Sequence, residues 1–246
     1  MRRQFMQLLF GAAIAVAAFA GPASEAVAQT QFRPSVSPWE GFYLGVHGGY
    51  GGRSNDVIED PVNAVPYNGA GNSWSYSAEG YLAAVHAGLN WESYGLVMGL
   101  EGSFGYMAIK GDAADPASPG LDTIAAQGDG TYGDVTARIG YTPGRMLYYV
   151  EGGAAFADLG WSVKDTCTAP PCSPTTITAT SDGTQSGWTA GGGIAWAFSQ
   201  RGSLRLEYGY YDFGEIDVTG TSGGNTYNWV QEVTLHTVKA GVTILF

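Results

Sequence analysis

Two histidines, two cysteines and a glycine triplet are the residues whose chemistry would show first in this chain, and their neighbours decide what they can do. His47 and His86 fall in neighbouring strand-like segments with the same inward parity, where they would meet as a metal pair or supply a catalytic base. Two imidazoles without a nearby carboxylate or thiolate make a poor zinc site, and His236, on the outward parity, does not complete it. Glu101-Gly102-Ser103-Phe104-Gly105 comes near a nucleophile elbow but lies inside a strand, where the strand-to-helix turn cannot form. Gly191-Gly192-Gly193 lacks the lysine and the following helix of a phosphate loop, and reads as strand glycine packed against neighbours. Cys167 and Cys172, in Cys167-Thr168-Ala169-Pro170-Pro171-Cys172, are the only cysteines. They cannot hold zinc alone; in an oxidising exported compartment they are expected to close a small disulfide ring at a loop tip. These motifs define no catalytic, cofactor or metal site, and no cofactor is expected.

The acids and bases carry more information. Read at alternate positions, Glu101, Arg138, Glu151, Arg205, Glu207 and Lys239 share one face of their segments with glycine and other small residues. The opposite face is apolar: Phe42, Leu44, Val46 and Tyr50 in one segment, Met98, Leu100, Phe104 and Tyr106 in another, Leu204, Leu206, Tyr208 and Tyr210 in a third. A two-residue period of this kind is a β-strand with two unlike faces. Three acids and three bases can neutralise one another. Segment order makes Glu101 with Arg138, Arg138 with Glu151, and Glu207 with Lys239 the expected pairs.

Eight strands must position these charges, at about 39–51, 76–91, 96–107, 131–141, 147–157, 187–198, 203–213 and 233–246. Each is near the roughly 9–11 residues of a tilted membrane-crossing strand, or a little longer. Three connections are tight and contain Gly or Pro: Glu92-Ser93-Tyr94-Gly95, Thr142-Pro143-Gly144 and Ser199-Gln200-Arg201-Gly202. The others, about 52–75, 107–130, 158–186 and 214–232, are long, polar and glycine-rich, and read as loops. Short turns at one end and long loops at the other are the asymmetry of an outer-membrane barrel, with its turns in the periplasm. Tyr50, Trp91, Tyr106, Tyr141, Trp188 and Trp196 fall near strand ends, as interfacial aromatic girdles require.

Both termini agree with that reading. Arg2 and Arg3 precede an apolar run from Leu8 to Ala20 that is too short to span a bilayer, and Ala26-Val27-Ala28 suits a signal peptidase. Residues 1–28 are expected to be a cleaved signal peptide, 29–38 a short periplasmic segment and 39–246 the barrel. The last strand alternates to its end, with Val242, Ile244 and the terminal Phe246 as the expected signal for the barrel assembly machinery. No later stretch has the about 18 consecutive apolar residues of a membrane helix, so a chain in the membrane must close as a barrel, which alone leaves no backbone group unpaired in lipid.

Composition fits. Glycine supplies 38 residues, Tyr 15, Phe 10 and Trp 7, and charged residues only 13%, which suits many short strands better than a soluble domain. A formal net charge of −11 without any Lys/Arg cluster excludes a nucleic-acid surface. Asp56, Glu59, Asp60, Asp112, Asp115, Asp122, Asp165, Asp182, Glu215 and Asp217 lie in the four long segments and would fringe the outward end with negative charge. Divalent cations or an extracellular or host surface partner would meet them there. Deleting the loops is expected to spare barrel assembly and abolish surface binding. Eight strands enclose just enough space for their own side chains, so the six charges are expected to plug the interior. A narrow-channel porin, and an outer-membrane lipid-modifying enzyme using His47 or His86, are the alternatives.

Several segments together resemble the small outer-membrane proteins of alphaproteobacteria, a family similar to the opacity proteins and to the OmpA transmembrane domain. They are Trp39-Glu40-Gly41-Phe42-Tyr43, Gly99-Leu100-Glu101-Gly102, Ala137-Arg138-Ile139-Gly140-Tyr141, Tyr149-Val150-Glu151-Gly152-Gly153, Gly187-Trp188-Thr189-Ala190-Gly191, Leu206-Glu207-Tyr208 and His236-Thr237-Val238-Lys239. The resemblance covers 39–246. It implies an eight-stranded antiparallel up-and-down barrel of the porin-like type in the outer membrane, in contact with lipid and lipopolysaccharide. Envelope integrity and surface contact would be its work, without enzymatic activity. Two departures stand out: Ala195 replaces an acid frequent in the family, and no peptidoglycan-binding domain of the OmpA type is expected after Phe246.

Overall fold

The computed structural model describes residues 37–59, 73–116, 123–166, 176–181, 183–222 and 225–246. The expected signal peptide and both cysteines, Cys167 and Cys172, lie outside these residues. Alternation becomes a closed antiparallel cylinder of β1 (Gly41–Glu59), β2 (Ser73–Ser93), β3 (Leu96–Ala114), β4 (Thr123–Tyr141), β5 (Met146–Asp165), β6 (Ile177–Ser181), β7 (Gln185–Ala197), β8 (Gly202–Ser222) and β9 (Asn225–Leu245). β6 and β7 are two pieces of one stave, since both pair with β5 on one side and β8 on the other. Eight staves result. β9 returns to β1 from Tyr43↔Leu245 to Glu59↔Trp229 and closes the wall.

The turns at one end are tight for stereochemical reasons. Tyr94 and Gly95 link β2 to β3 with φ values of 53° and 82°, the doubly left-handed turn whose twist matches that of the strands it joins. The opposite end differs from the loop expectation. β1, β2, β3, β4, β5, β8 and β9 run 19 to 21 residues, about twice what the membrane requires. Most of the segments read as loops at 52–75, 107–130, 158–186 and 214–232 are extended strand, and between β8 and β9 only 223–224 lie outside one. Asp56, Glu59, Asp112, Asp165, Glu215 and Asp217 are strand residues. Asp115 and Asp165 are buried, not part of a solvated fringe. Asp60, Asp122 and Asp182 lie outside the described residues.

The long strands cross two solvents, and their sidedness inverts between them. In the lower half the outer wall is apolar, with Phe42, Leu44, Val46, Met98, Leu100, Phe104, Leu204, Leu206, Val238 and Val242 all exposed. The six girdle aromatics Tyr50, Trp91, Tyr106, Tyr141, Trp188 and Trp196 bound that band, each 43–61% exposed. Above Tyr50 and Tyr106 the outward positions become Glu79, Lys110, Asp112, Asp158, Glu215, Asp217 and Glu232. The inward ones become Trp74, Tyr76, Ile109, Trp161, Ile216 and Trp229, members of one buried cluster. A lipid-facing wall must be greasy outside, and a wall in water must be greasy inside. On β9 the apolar set switches parity, from Val238 and Val242 outward to Leu235, Val233 and Trp229 inward. On β8 a register shift between Asp212 and Glu215 does the same work. Even-numbered Leu204 and Leu206 point out below it, and even-numbered Ile216 and Val218 point in above it.

Candidate functional site in the barrel interior

At membrane depth the lumen is filled by the charges that strand parity put there. Glu101, Arg138, Arg205, Glu207 and Lys239 are each at most 7% exposed, and the Glu151 side chain is 8% exposed. Glycines make the room: a Cβ on Gly45 would collide with the His86 imidazole, and one on Gly88 with the Tyr43 hydroxyl. All three expected pairs form. Arg138 contacts Glu101 and, at 3.3 Å, Glu151, while Lys239 contacts Glu207.

The organising contact is one that sequence order did not suggest. Arg205 Nη1 donates to both carboxylate oxygens of Glu101, at 2.9 and 2.8 Å. β3 and β8 stand four staves apart in a ring of eight, so this pair spans the lumen along a diameter. Further bonds cross beside it. Tyr43 donates to Glu101 at 2.9 Å and Tyr149 to Glu207 at 2.8 Å. Lys239 donates to the Tyr211 hydroxyl at 3.1 Å, and Tyr211 to Asp134 at 3.0 Å. Asp134 is a buried fourth acid that the sequence reading passed over, although positions 134, 136 and 138 share the inward parity of Arg138. Arg138 also lies 5.0 Å from the Tyr149 ring centroid and 5.5 Å from that of Tyr43, so aromatic faces help solvate it.

The histidines belong to the same packing. His47 and His86 are buried with their rings stacked at 5.4 Å and Nδ1 atoms 3.3 Å apart. Arg205 Nη2 lies 3.1 Å from His47 Nδ1. A guanidinium only donates, so that nitrogen accepts and the proton of His47 sits on Nε2, which donates to Tyr132 at 3.1 Å. His86 Nε2 meets Thr243 at 3.0 Å. A cation facing the shared nitrogen repels a metal ion, so the pair is built as hydrogen-bonding filler. His236 is exposed on the outer wall, where the Tyr208 hydroxyl contacts its Nδ1 at 2.6 Å.

Both mouths are covered. Below, Trp39 folds under the cylinder, 4% exposed, donating from Nε1 to Gly144 O at 3.3 Å and packing with Val97, Leu147, Tyr149, Ala195 and Ala197. Ala195, at the position where an acid was noted as frequent, is part of that floor. A recess of about 30 Å³ remains there, room enough for ordered water. Above, the apolar cluster fills the protruding half. One cation is embedded in it: Arg53, 6% exposed, with Nε and Nη2 lacking partners among the described residues. Burial pushes its guanidinium down to about 10, and the Tyr76 hydroxyl opposes that shift.

Strand number, sidedness, girdles and a filled lumen define a small transmembrane β-barrel of the bacterial outer membrane. Comparison with known proteins makes the class specific: the chain belongs to the outer membrane protein beta-barrel domain family, whose profile matches residues 10–246. It is 28% identical to the 31 kDa outer-membrane immunogenic protein of Brucella melitensis over 91% of this chain and 92% of that one. It is 27% identical to the 22 kDa outer membrane protein of Rhizobium leguminosarum bv. viciae, over 85% of this chain and 78% of the relative. Among solved structures, the outer membrane protein OprG from Pseudomonas aeruginosa shares the fold, with a TM-score of 0.50 at 10% identity over 85% of this chain and 98% of that one.

Proposed function

We infer that this outer-membrane barrel is a non-conducting envelope protein that stabilises the outer membrane and presents its protruding end for surface contact. The diametric Arg205–Glu101 pair carries the reading, because a side-chain bridge across the lumen stands in the path that solutes or ions would take through it. Trp39 below and the aromatic cluster above support it. Purified protein in planar bilayers is expected to give no large steady current. Nanosiemens-type steps, or uptake of small sugars by swelling liposomes, would return the narrow-channel porin to first place.

The enzymatic alternative has little support, since His47 and His86 are buried within the lumen, away from the lipid a modifying enzyme must reach. Unaltered lipid A in cells carrying His47→Ala or His86→Ala is the expected result. Surface contact is favoured by the reach of the strands and by acids aligned across them, where Asp56 pairs in register with Glu232 and Glu232 with Glu215. The Brucella relative's description as immunogenic fits an end exposed outside the cell.

A further inference from the structure

The lipid-facing wall has a marked dent. It lies between Ile194 and Trp196 on β7 and Ala240 on β9, across Leu204 and Leu206 on β8, with Met146 at its edge, and encloses about 310 Å³ that is almost wholly apolar. Ala240 creates it by being small between Val238 and Val242. Next to it on β1, the register partner of Ala240 is Gly48, outward-facing and exposed. Gly48 differs from the inward glycines, because a Cβ there would meet nothing nearer than 3.6 Å. Barrel packing does not require its bareness. Ala83 follows beside it on β2.

The charge at its foot is distinctive. Among the described residues the exposed cations are Lys110, Arg145, Lys164 and Arg201, and the first and third belong to the protruding half. Arg145 sits in the periplasmic turn between β4 and β5, next to Met146 at the edge of the dent, and Arg201 in the turn between β7 and β8. Their carbonyls accept from Ala197 N at 2.9 Å and Leu245 N at 2.7 Å, which ties the turns to the staves that form it. The remaining periplasmic turn, Tyr94-Gly95, carries no cation and adjoins Glu92. Among the described residues, the two basic residues of the periplasmic rim therefore stand at headgroup level at the foot of the staves that border the dent.

We propose that this face seats an anionic glycerophospholipid of the periplasmic leaflet, one acyl chain in the dent between Ile194 and Ala240 and its phosphate at Arg145 and Arg201. Apolar area and charge complementarity coincide there. Trp196 stands at the level of the ester linkages, where an indole is both apolar and a donor. The seat is independent of whether the lumen conducts, so bilayer currents do not bear on it.

Native mass spectrometry of the mature protein in mild detergent, titrated with phosphatidylglycerol or phosphatidylethanolamine, tests the proposal. The wild type should retain one phosphatidylglycerol in preference to the zwitterionic lipid. Arg145→Gln with Arg201→Gln should weaken its retention about thirtyfold, two surface arginines' worth of headgroup attraction. Lys110→Gln with Lys164→Gln should change nothing. Ala240→Phe, filling the dent, should displace lipid even with both arginines present. Heat-modifiable migration confirms that each variant is folded; the glutamine pair alters only exposed turn side chains and keeps the test decisive if Ala240→Phe misassembles. Equal retention by the glutamine pair, equal loss in the lysine control, or no preference for the anionic lipid overturns the seat.

Discussion

A single carboxylate holds two guanidiniums at the centre of the lumen. Glu101→Gln would leave Arg138 and Arg205 buried without their shared negative charge, and with an amide NH2 in place of one acceptor oxygen, and removing one partner of a buried pair costs about 3–5 kcal/mol. A lower urea midpoint in detergent is expected, with part of the loss recovered when Arg205→Met is added. A single variant within 1 kcal/mol of wild type would mean that water replaces the bond. Arg53 has the opposite sign. Burial depresses its guanidinium from the usual arginine range to about 10, so its charge opposes folding wherever both states are protonated, below about pH 10. That opposition fades as pH rises from there toward the higher value of the unfolded chain. Arg53→Met is therefore expected to stabilise the protruding half at pH 7, by about 1–4 kcal/mol as for other buried charges replaced by apolar side chains of similar volume, read from its thermal transition. The six lumenal charges were legible because parity alone fixes inward and outward. The Arg205–Glu101 bond was not, because two residues 104 apart in sequence meet through closure of the ring, which neighbour order does not encode.

Strand existence was legible and strand length was not, for a specific reason. A membrane strand is recognised by apolar residues outside, and above the girdle that signal changes parity. Glu215-Ile216-Asp217-Val218 alternates as cleanly as Leu204-Arg205-Leu206-Glu207, yet its Gly- and Thr-rich surroundings read as loop. The bulge that re-phases β8 leaves no residue signature except Gly214, whose φ of 71° marks the kink. The ends of elements also bear function. Phe246 N donates to Phe42 O at 2.9 Å and the two rings lie 5.9 Å apart, the last rung of barrel closure. Together with exposed Val242 and Ile244 it forms the face proposed to be read during assembly. Deleting Phe246 removes one edge rung and one aromatic. The outer-membrane fraction should fall several-fold while the protein that does insert melts within a few degrees of wild type. An equally large drop in melting temperature would assign Phe246 to stability and not to assembly.

The whole molecule is one cylinder with two interiors, a hydrogen-bonded one in the membrane and an apolar one above it. That division sharpens the expectation for removing the outer segments. Asp212 and Thr234 are register partners, so residues 214–232 can be replaced by Asn-Gly with Phe213 and Val233 closing a tight hairpin. The lumenal network lies entirely below that cut and should survive, keeping heat-modifiable migration. The upper interior should not. The replacement removes Ile216, Val218 and Trp229 from the buried cluster, each contributing about 1.5–3 kcal/mol by burial, and also the Gln231 amide oxygen that accepts from Tyr76 at 3.2 Å. It also takes away the partners of β1 from Asp56 to Glu59, opening the wall. Trypsin should then cut after Lys110 and Lys164, on β3 and β5 of the protruding half, and the emission of Trp74 and Trp161 should shift to the red. Resistance at both lysines would show that the outer strands hold without their shared core, and that the two halves are a single cooperative unit.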